Sequence, residues 1–466
     1  MEALAMSDAQ IFAPPIGAPT IRRLLLGAVW GFALTATTAH ADVTVFDKDG
    51  LTFEAGLTAG AGVFHVGNAN LGAGVAKPGG GIDRNRNWTE GFIAPSGKLT
   101  YSTEAAGAFY GGARIVGAGT AGDGDAGGIA QGRQGRFTLD HLYAGWRSGT
   151  LFSALGENAI DISAGRQPFN IGDGFLINDG NADGPKEGAY WLAPRNGWGP
   201  SSVVARVDVK PFHADVFRLK SDSNSSSDVI YGTNLEWHSG PDGKNVVGGS
   251  LLKVSDSKLP TRDGMRVYSL RAQGAFIPGV PDLFLAGEFT KERNSRSVAE
   301  VDANAWYGEA NYTLSQVGWT PKFGYRYSHF SGDKPGTAAS EAFDPLHYGA
   351  GIRGWGTWFQ GEIAGQYFFP IMNTNVNVHQ LQASIQPLDT VTLTALYYIF
   401  DFDRKPVGIA SDRVGKEVNF VVDWQATENL SVSGGVGQFN ADSGGKQLLG
   451  GTKNSTVAEI FLLARF

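Results

Sequence analysis

Asp179-Gly180-Asn181-Ala182-Asp183-Gly184 places three side-chain oxygens at alternate positions ahead of a glycine. That spacing suits a calcium loop, in which carboxylate and amide oxygens converge on one hard cation and the glycine permits the sharp turn. The bidentate Glu expected at position 12 is replaced by Tyr190, with Glu187 at position 9. Two readings stay open: weak calcium binding by Asp179, Asn181 and Asp183, stiffening a lid at the outer surface, or a plain Asx-rich turn. No other cofactor is implied.

Other chemical motifs lose their force once their spacing is considered. Gly117-Ala118-Gly119-Thr120-Ala121-Gly122 matches G-x-G-x-x-G, but Asp123 and Asp125 follow where a phosphate-binding helix would have to start. It reads as a flexible loop. Ser250 and Lys253 match S-x-x-K, yet three residues apart on a strand they point to opposite faces. Asp140 and His141 are chain neighbours and should face apart for the same reason, which excludes a general-base dyad. Eight scattered His and no Cys give no zinc spacing.

The elements that must carry these residues are strands. Of 466 residues 66 are Gly, about twice the usual ~7%. Beyond residue 42 no helical period is sustained. The sole apolar run of note, Leu24–Ala36, is too short for a helical span of about 20 residues. Arg22-Arg23 precede it and Ala39-His40-Ala41 follow, the order of a secretory signal peptide cleaved before Asp42, with a true start at Met6 or later. Residues 1–41 carry two acids and two arginines, so the remainder keeps the net charge of −7. That balance argues against a nucleic-acid partner, and a chain without Cys needs no disulfide framework.

From Leu51 on, alternating segments of about ten residues are separated by Gly, Asp, Asn, Ser and Pro clusters. They number eighteen, with short and long connections in turn, and a transmembrane antiparallel β-barrel over 42–466 is the fold this predicts. In the last, Ser455–Phe466, Ala458, Ile460, Leu462 and Ala464 form one uniformly apolar face, and the strand stops on an aromatic like the final strand of bacterial outer-membrane barrels. Two long irregular stretches, 170–200 and 331–374, are expected to cover the pore. Taking His347–Gly354 and Trp358–Phe368 as strands instead would give twenty. A soluble all-β propeller or β-helix would need an internal repeat, and none is evident.

A family resemblance enters at Ile162–Gly174, which reads Ile-Ser-Ala-Gly-Arg-Gln-Pro-Phe-Asn-Ile-Gly-Asp-Gly after an aromatic strand. With Phe343-Asp344-Pro345-Leu346, Trp358–Gly365, Asn373-Thr374-Asn375, Leu396–Asp403 and Lys416-Glu417-Val418, it resembles the alginate export family of outer-membrane porins. The resemblance implies a monomeric eighteen-strand barrel in the bacterial outer membrane, with loops folded into or over the pore and a basic lumen for an anionic polymer. The charges depart from that. By alternation Arg206, Arg218, Lys220, Lys253, Arg271, Lys322 and Arg326 should face inward, against Asp208, Glu236, Glu288, Glu309, Glu417 and Asp423. Such a balanced lumen does not focus a field of one sign, and favours a sugar or small organic acid over alginate. Arg166 and Arg195, beside the 170–200 loop, are candidates for a basic constriction or for wall ion pairs. Tyr348, Trp355, Trp358 and Glu362 are candidates for solute contact, or for packing of the loop on itself.

The function expected is therefore a passive porin for a polar or anionic solute (polysaccharide, sugar or small organic acid), partnered by outer-membrane lipid. The alternative is a barrel-borne hydrolase or acyltransferase on a plugged lumen, using a Ser or Asp near His65, His329 or His347 at the outer rim.

Overall fold

A strand with lipid on one side and water on the other alternates its side chains, and in hydrocarbon its backbone groups are all satisfied only if the sheet closes. The computed structural model has that closure. It describes residues 42–466 except 78, 179, 182–186, 224, 241–242, 296–299, 350–360 and 362–371. Eighteen antiparallel strands follow one another around the barrel. The first nine are β1 (Leu51–Gly67), β2 (Arg86–Thr103), β3 (Gly107–Gly122), β4 (Gln134–Arg147), β5 (Ile160–Arg166), β6 (Val203–Val209), β7 (Phe212–Lys220), β8 (Val229–Ser239) and β9 (Asn245–Asp256). They continue as β10 (Arg266–Gly274), β11 (Leu283–Asn294), β12 (Val301–Thr313), β13 (Lys322–Phe330), β14 (Val376–Leu388), β15 (Val391–Phe402), β16 (Arg413–Gln425), β17 (Leu430–Ala441) and β18 (Ser455–Arg465).

β18 pairs back onto β1, with Val63 opposite Ile460. A short strand, Val43–Lys48, pairs with the start of β1 and continues the line of β18 beyond Phe466, which exchanges backbone hydrogen bonds of 2.6 and 2.8 Å with Leu57. β13 pairs directly with β14, which leaves no place in the wall for strands drawn from 331–374. Eighteen, not twenty, is the count.

Outward faces form an apolar belt: Phe109, Val216, Leu270, Phe289, Phe420, Ile460 and Leu462 are all exposed. No helix of the described residues is long and apolar enough to cross a membrane; strands make the crossing. Two sequence expectations fail locally. Gly117–Gly122 is no loop but the end of β3. Asp140 and His141 do not face apart, because a bulge opposite Arg114 and Ile115 turns both inward and sets His141 Nε2 3.2 Å from Asp140 Oδ2.

The loop after β5 turns into the barrel. Its Phe169, Ile171, Phe175, Leu176, Ile177, Trp191, Leu192 and Trp198 are buried with inward residues of the wall in one apolar core. So many large apolar side chains could not remain in water, and the lumen is the only shelter within reach. Phe175 packs on Tyr307 (5.4 Å between ring centroids), Phe330 and Phe343, Phe169 on Phe217 (4.8 Å), and Trp191 on Phe64 (6.2 Å).

Candidate functional site

Register brings inward residues of neighbouring strands into rows across the wall. One row runs Asp161, Arg206, Asp215, Asn234, Ser250, Ser269 and Thr290 from β5 to β11. The next, nearer the periplasmic turns, runs Asp208, His213, Glu236, Gly248, Arg271, Glu288 and Tyr307 from β6 to β12. Across them the charges are matched. Arg147 Nε is 2.9 Å from Asp161, and Arg206 lies between Asp161 (3.9 Å) and Asp215 (3.8 Å). His213 sits between Asp208 (2.5 Å) and Asp215 (2.9 Å), and His238 is 2.9 Å from Glu236. Arg271 pairs with Glu236 at 2.5 Å, donates to Ser250 Oγ at 3.0 Å and also bonds Asn234. Glycine at 248 leaves room for that guanidinium: a Cβ there would come within 3.1 Å of it. The result is a polar wall with alternating sign, able to exchange hydrogen bonds with a hydrated solute without holding it by one dominant charge.

The in-folded loop packs against this wall through Phe217 and Tyr307 and is tied at several further points. The Glu90 carboxyl accepts from the backbone N–H of Trp191 and Leu192 (2.8 to 3.0 Å), Thr120 Oγ1 accepts from Ala189 N–H at 2.8 Å, and Asp140 accepts from Asn196 and Gly197 N–H. Tyr307 OH donates to Asp173 at 2.8 Å. Gly165, next to last in β5 and just ahead of the loop, has φ +119, and a Cβ there would collide with the Leu142 carbonyl oxygen.

The second long loop meets the first through a parallel bridge between Ile177 and His347, and Gly349 N–H donates to the Gly174 carbonyl. It is pinned by a buried charged node. Arg262 reaches Asp228 at 2.8 Å and Asp344 at 2.9 Å, His347 Nε2 is 2.8 Å from Asp228, and the Asp344 N–H donates to Glu292. Burial alone would raise the Asp228 carboxyl, but the hydrogen bond and charge of His347 and the charge of Arg262 outweigh it and hold the group well below the usual carboxylate range. The Phe343–Leu346 motif is thereby explained: Phe343 joins the aromatic core and Asp344 takes Arg262.

The expected site residues divide. Arg206, Arg271, Lys322, Arg326, Asp208, Glu236, Glu288, Glu309, Glu417 and Asp423 share inward parity, with Arg326 3.6 Å from Glu309, Ser269 donating to Glu288, Asn419 donating to Glu417 and Ser433 to Asp423. Arg218, Lys220 and Lys253 do not face inward. They share outward parity with exposed Val216 and Leu251, because at the extracellular end the inward positions Phe217, Leu219, Leu252 and Val254 pack in the core. Arg166 likewise shares the register of outward Leu142 and pairs with Asp222 at 2.6 and 3.1 Å, while Arg195 is buried in the loop, 3.2 Å from Glu187. Tyr348 is buried in the core. Trp355, Trp358 and Glu362, and Asp179 and Asp183 of the calcium motif, lie outside the described residues; Asn181 is buried. His65 and His329 each bond an Asn amide oxygen, and His347 bonds Asp228. None of these places a histidine on a nucleophilic hydroxyl. Sequence reasoning missed Asp161, Asp215 and Asn234, which strict alternation would have found, and Arg262, for which a loop offers no periodic signal.

Residues 264–445 match the family model described as alginate export, the family the motifs resemble. No curated protein matches the chain. Among solved structures, Pseudomonas aeruginosa OccK8 (OprE) superposes with a TM-score of 0.58 at 12% identity, covering 89% of this chain and 98% of that one. A BenF-like porin from Pseudomonas fluorescens Pf-5 gives 0.56 at 13%, covering 89% and 98%. P. aeruginosa OccK2 (OpdF) in complex with glucuronate gives 0.54 at 13%, again covering 89% and 98%. At these identities the likeness is one of fold. Family match, closed barrel, apolar belt and polar interior together make the chain a bacterial outer-membrane β-barrel of the porin type.

Proposed function

We propose that the barrel is a passive channel for a small polar solute of sugar-acid or organic-acid size, conducted along the matched-charge wall of β4–β12. The observation that carries this reading is the pair of inward rows from Asp161 to Thr290 and from Asp208 to Tyr307, facing a loop that narrows the lumen. Two long loops turned into the extracellular half favour small molecules over a polymer. The complex of OccK2 with glucuronate, in a barrel of similar fold, supports a solute of that size. One chain closes the whole barrel, so a monomer suffices, and passage requires no bond to be made or broken.

The test is single-channel recording of the refolded chain (residues 42–466) in a planar bilayer, titrated with glucuronate, neutral sugars and alginate oligomers. Discrete openings blocked by glucuronate or a neutral sugar are expected. A barrel that inserts and stays silent would overturn the channel reading, and block by alginate oligomers alone would overturn the assignment of solute size.

A further inference from the structure

Two of the charges expected in the lumen, Arg218 and Lys253, stand instead in a longer row on the outside. Arg218, Tyr231, Lys253, Arg266, Arg293 and Asp302 form one register row across β7 to β12. Each lies within three residues of the extracellular end of its strand. Each shares parity with an exposed residue of the belt: Val216, Leu235, Leu251, Tyr268, Phe289 and Trp306 respectively. The row therefore stands outward, just above the hydrocarbon, at the level of lipid headgroups. Lys291 lies one row below.

Five cations on this face meet one carboxylate in the row, Asp302, which takes Lys291 and lies 4.0 Å from Arg293. Arg293 stays 67% exposed, Lys253 and Arg266 are exposed, and neither of the last two has an ion-pair partner among the described residues. Arg218 is steadied by Ser201 and lies 5.9 Å over the Tyr231 ring, which presets it without neutralising it. Lys253, Arg266 and Arg293 stand directly opposite one another, and like charges in that position destabilise a sheet. A ladder of this kind calls for an anion from outside the chain. Arginine's planar fork suits phosphate oxygens, and four strand spacings of ~4.8 Å stretch the row over about 19 Å, room for more than one phosphate.

We propose that this rim is a binding site for a phosphorylated lipid headgroup of the outer leaflet, whose acyl chains lie on Val216, Leu251, Leu270 and Phe289 below. Free phosphate would gain the charges but not the apolar surface, so the lipid is the occupant.

The experiment uses the full barrel in neutral detergent, with bound lipid counted by native mass spectrometry during titration with bisphosphorylated lipid A. Retention by the wild type is expected, weakened about tenfold or more in the triple variant Lys253→Gln/Arg266→Gln/Arg293→Gln, since several charge-assisted hydrogen bonds are removed. Lys416→Gln, an outward lysine on β16, should bind as wild type, and dephosphorylated lipid A should bind as weakly as the triple variant does to the intact lipid. Unchanged channel conductance of the triple variant certifies its fold. Equal binding by wild type and triple variant, equal loss in Lys416→Gln, or displacement of the lipid by millimolar inorganic phosphate would each overturn the proposal.

Discussion

The inward and outward sides of the same strands treat positive charge in opposite ways. On the inner side of β6–β10, Arg206 and Arg271 are answered by Asp161, Asp215 and Glu236 within the wall itself. On the outer rim of β7–β11, of Arg218, Lys253, Arg266, Lys291 and Arg293 only Lys291 and Arg293 meet an acid among the described residues, and it is the same one, Asp302. Both sides obey the same two-residue alternation, so the difference is one of surroundings. A half-buried lumen charge without a partner is expensive, whereas a rim charge sits among hydrated headgroups and keeps its reach.

That contrast can be broken or sharpened in order of size. The largest effect should come from the plug that shelters the inner wall. Trp198 is fully buried, donates its indole N–H to the Phe169 carbonyl at 2.9 Å and packs 5.1 Å from His347. Trp198→Ala is expected to destabilise by about 3–5 kcal/mol in urea unfolding and to raise single-channel conductance as the loop loosens. Next, Arg271→Gln leaves Glu236 with only His238 and Asn234 as partners and should cost about 3 kcal/mol, while the double variant Arg271→Gln/Glu236→Gln recovers part of that loss, because both charges are gone. If the single and double variants were equally unstable, the matched wall would not owe its stability to pairing.

A smaller effect belongs to the Asp228 node. Its carboxyl is depressed in the folded chain, so below the ordinary Asp value of ~3.9 the unfolded state binds more protons than the folded one. The stabilisation is present above that pH and is lost as pH falls through it toward the lower folded value. Protease nicking within 331–349 should therefore rise below about pH 4 in the wild type, and Asp228→Asn should be nicked readily at neutral pH with little further change on acidification. Smallest of all, Arg266→Gln on the rim should shift urea stability by less than ~0.5 kcal/mol, as befits a surface position whose partner is not in the chain.

How far the fold could be read from sequence follows from the same alternation. In β18 the face Ala458, Ile460, Leu462 and Ala464 was legible as lipid-facing because four successive outward positions are apolar and nothing competes with them. Ser250 and Lys253 were legible as opposite-facing, and they are: Ser250 meets Arg271 inside, Lys253 stands on the rim. Period two separates two faces but does not say which one is wet. At the extracellular ends of β7 and β9 the inward face packs against a loop, so the apolar set lies inside and the charges outside, the reverse of the belt. That inversion was foreshadowed by Trp191, Trp198 and Phe175 in a supposed loop, residues with no business in water. The Asp140–His141 pair was hidden because a bulge adds a residue no period can reveal.

The plug also bears on how the molecule assembles. Ala189 reaches Thr120 across 69 residues, Trp191 reaches Glu90 across 101, and Asp173 reaches Tyr307 across 134. Contacts of that separation form only after the chain between them has been gathered in, and here the gathering is the closure of the strands themselves. The barrel should thus come into being hollow and fill afterwards, so that a freshly inserted molecule passes its largest current first and then settles to a lower one as the indole rings find their places.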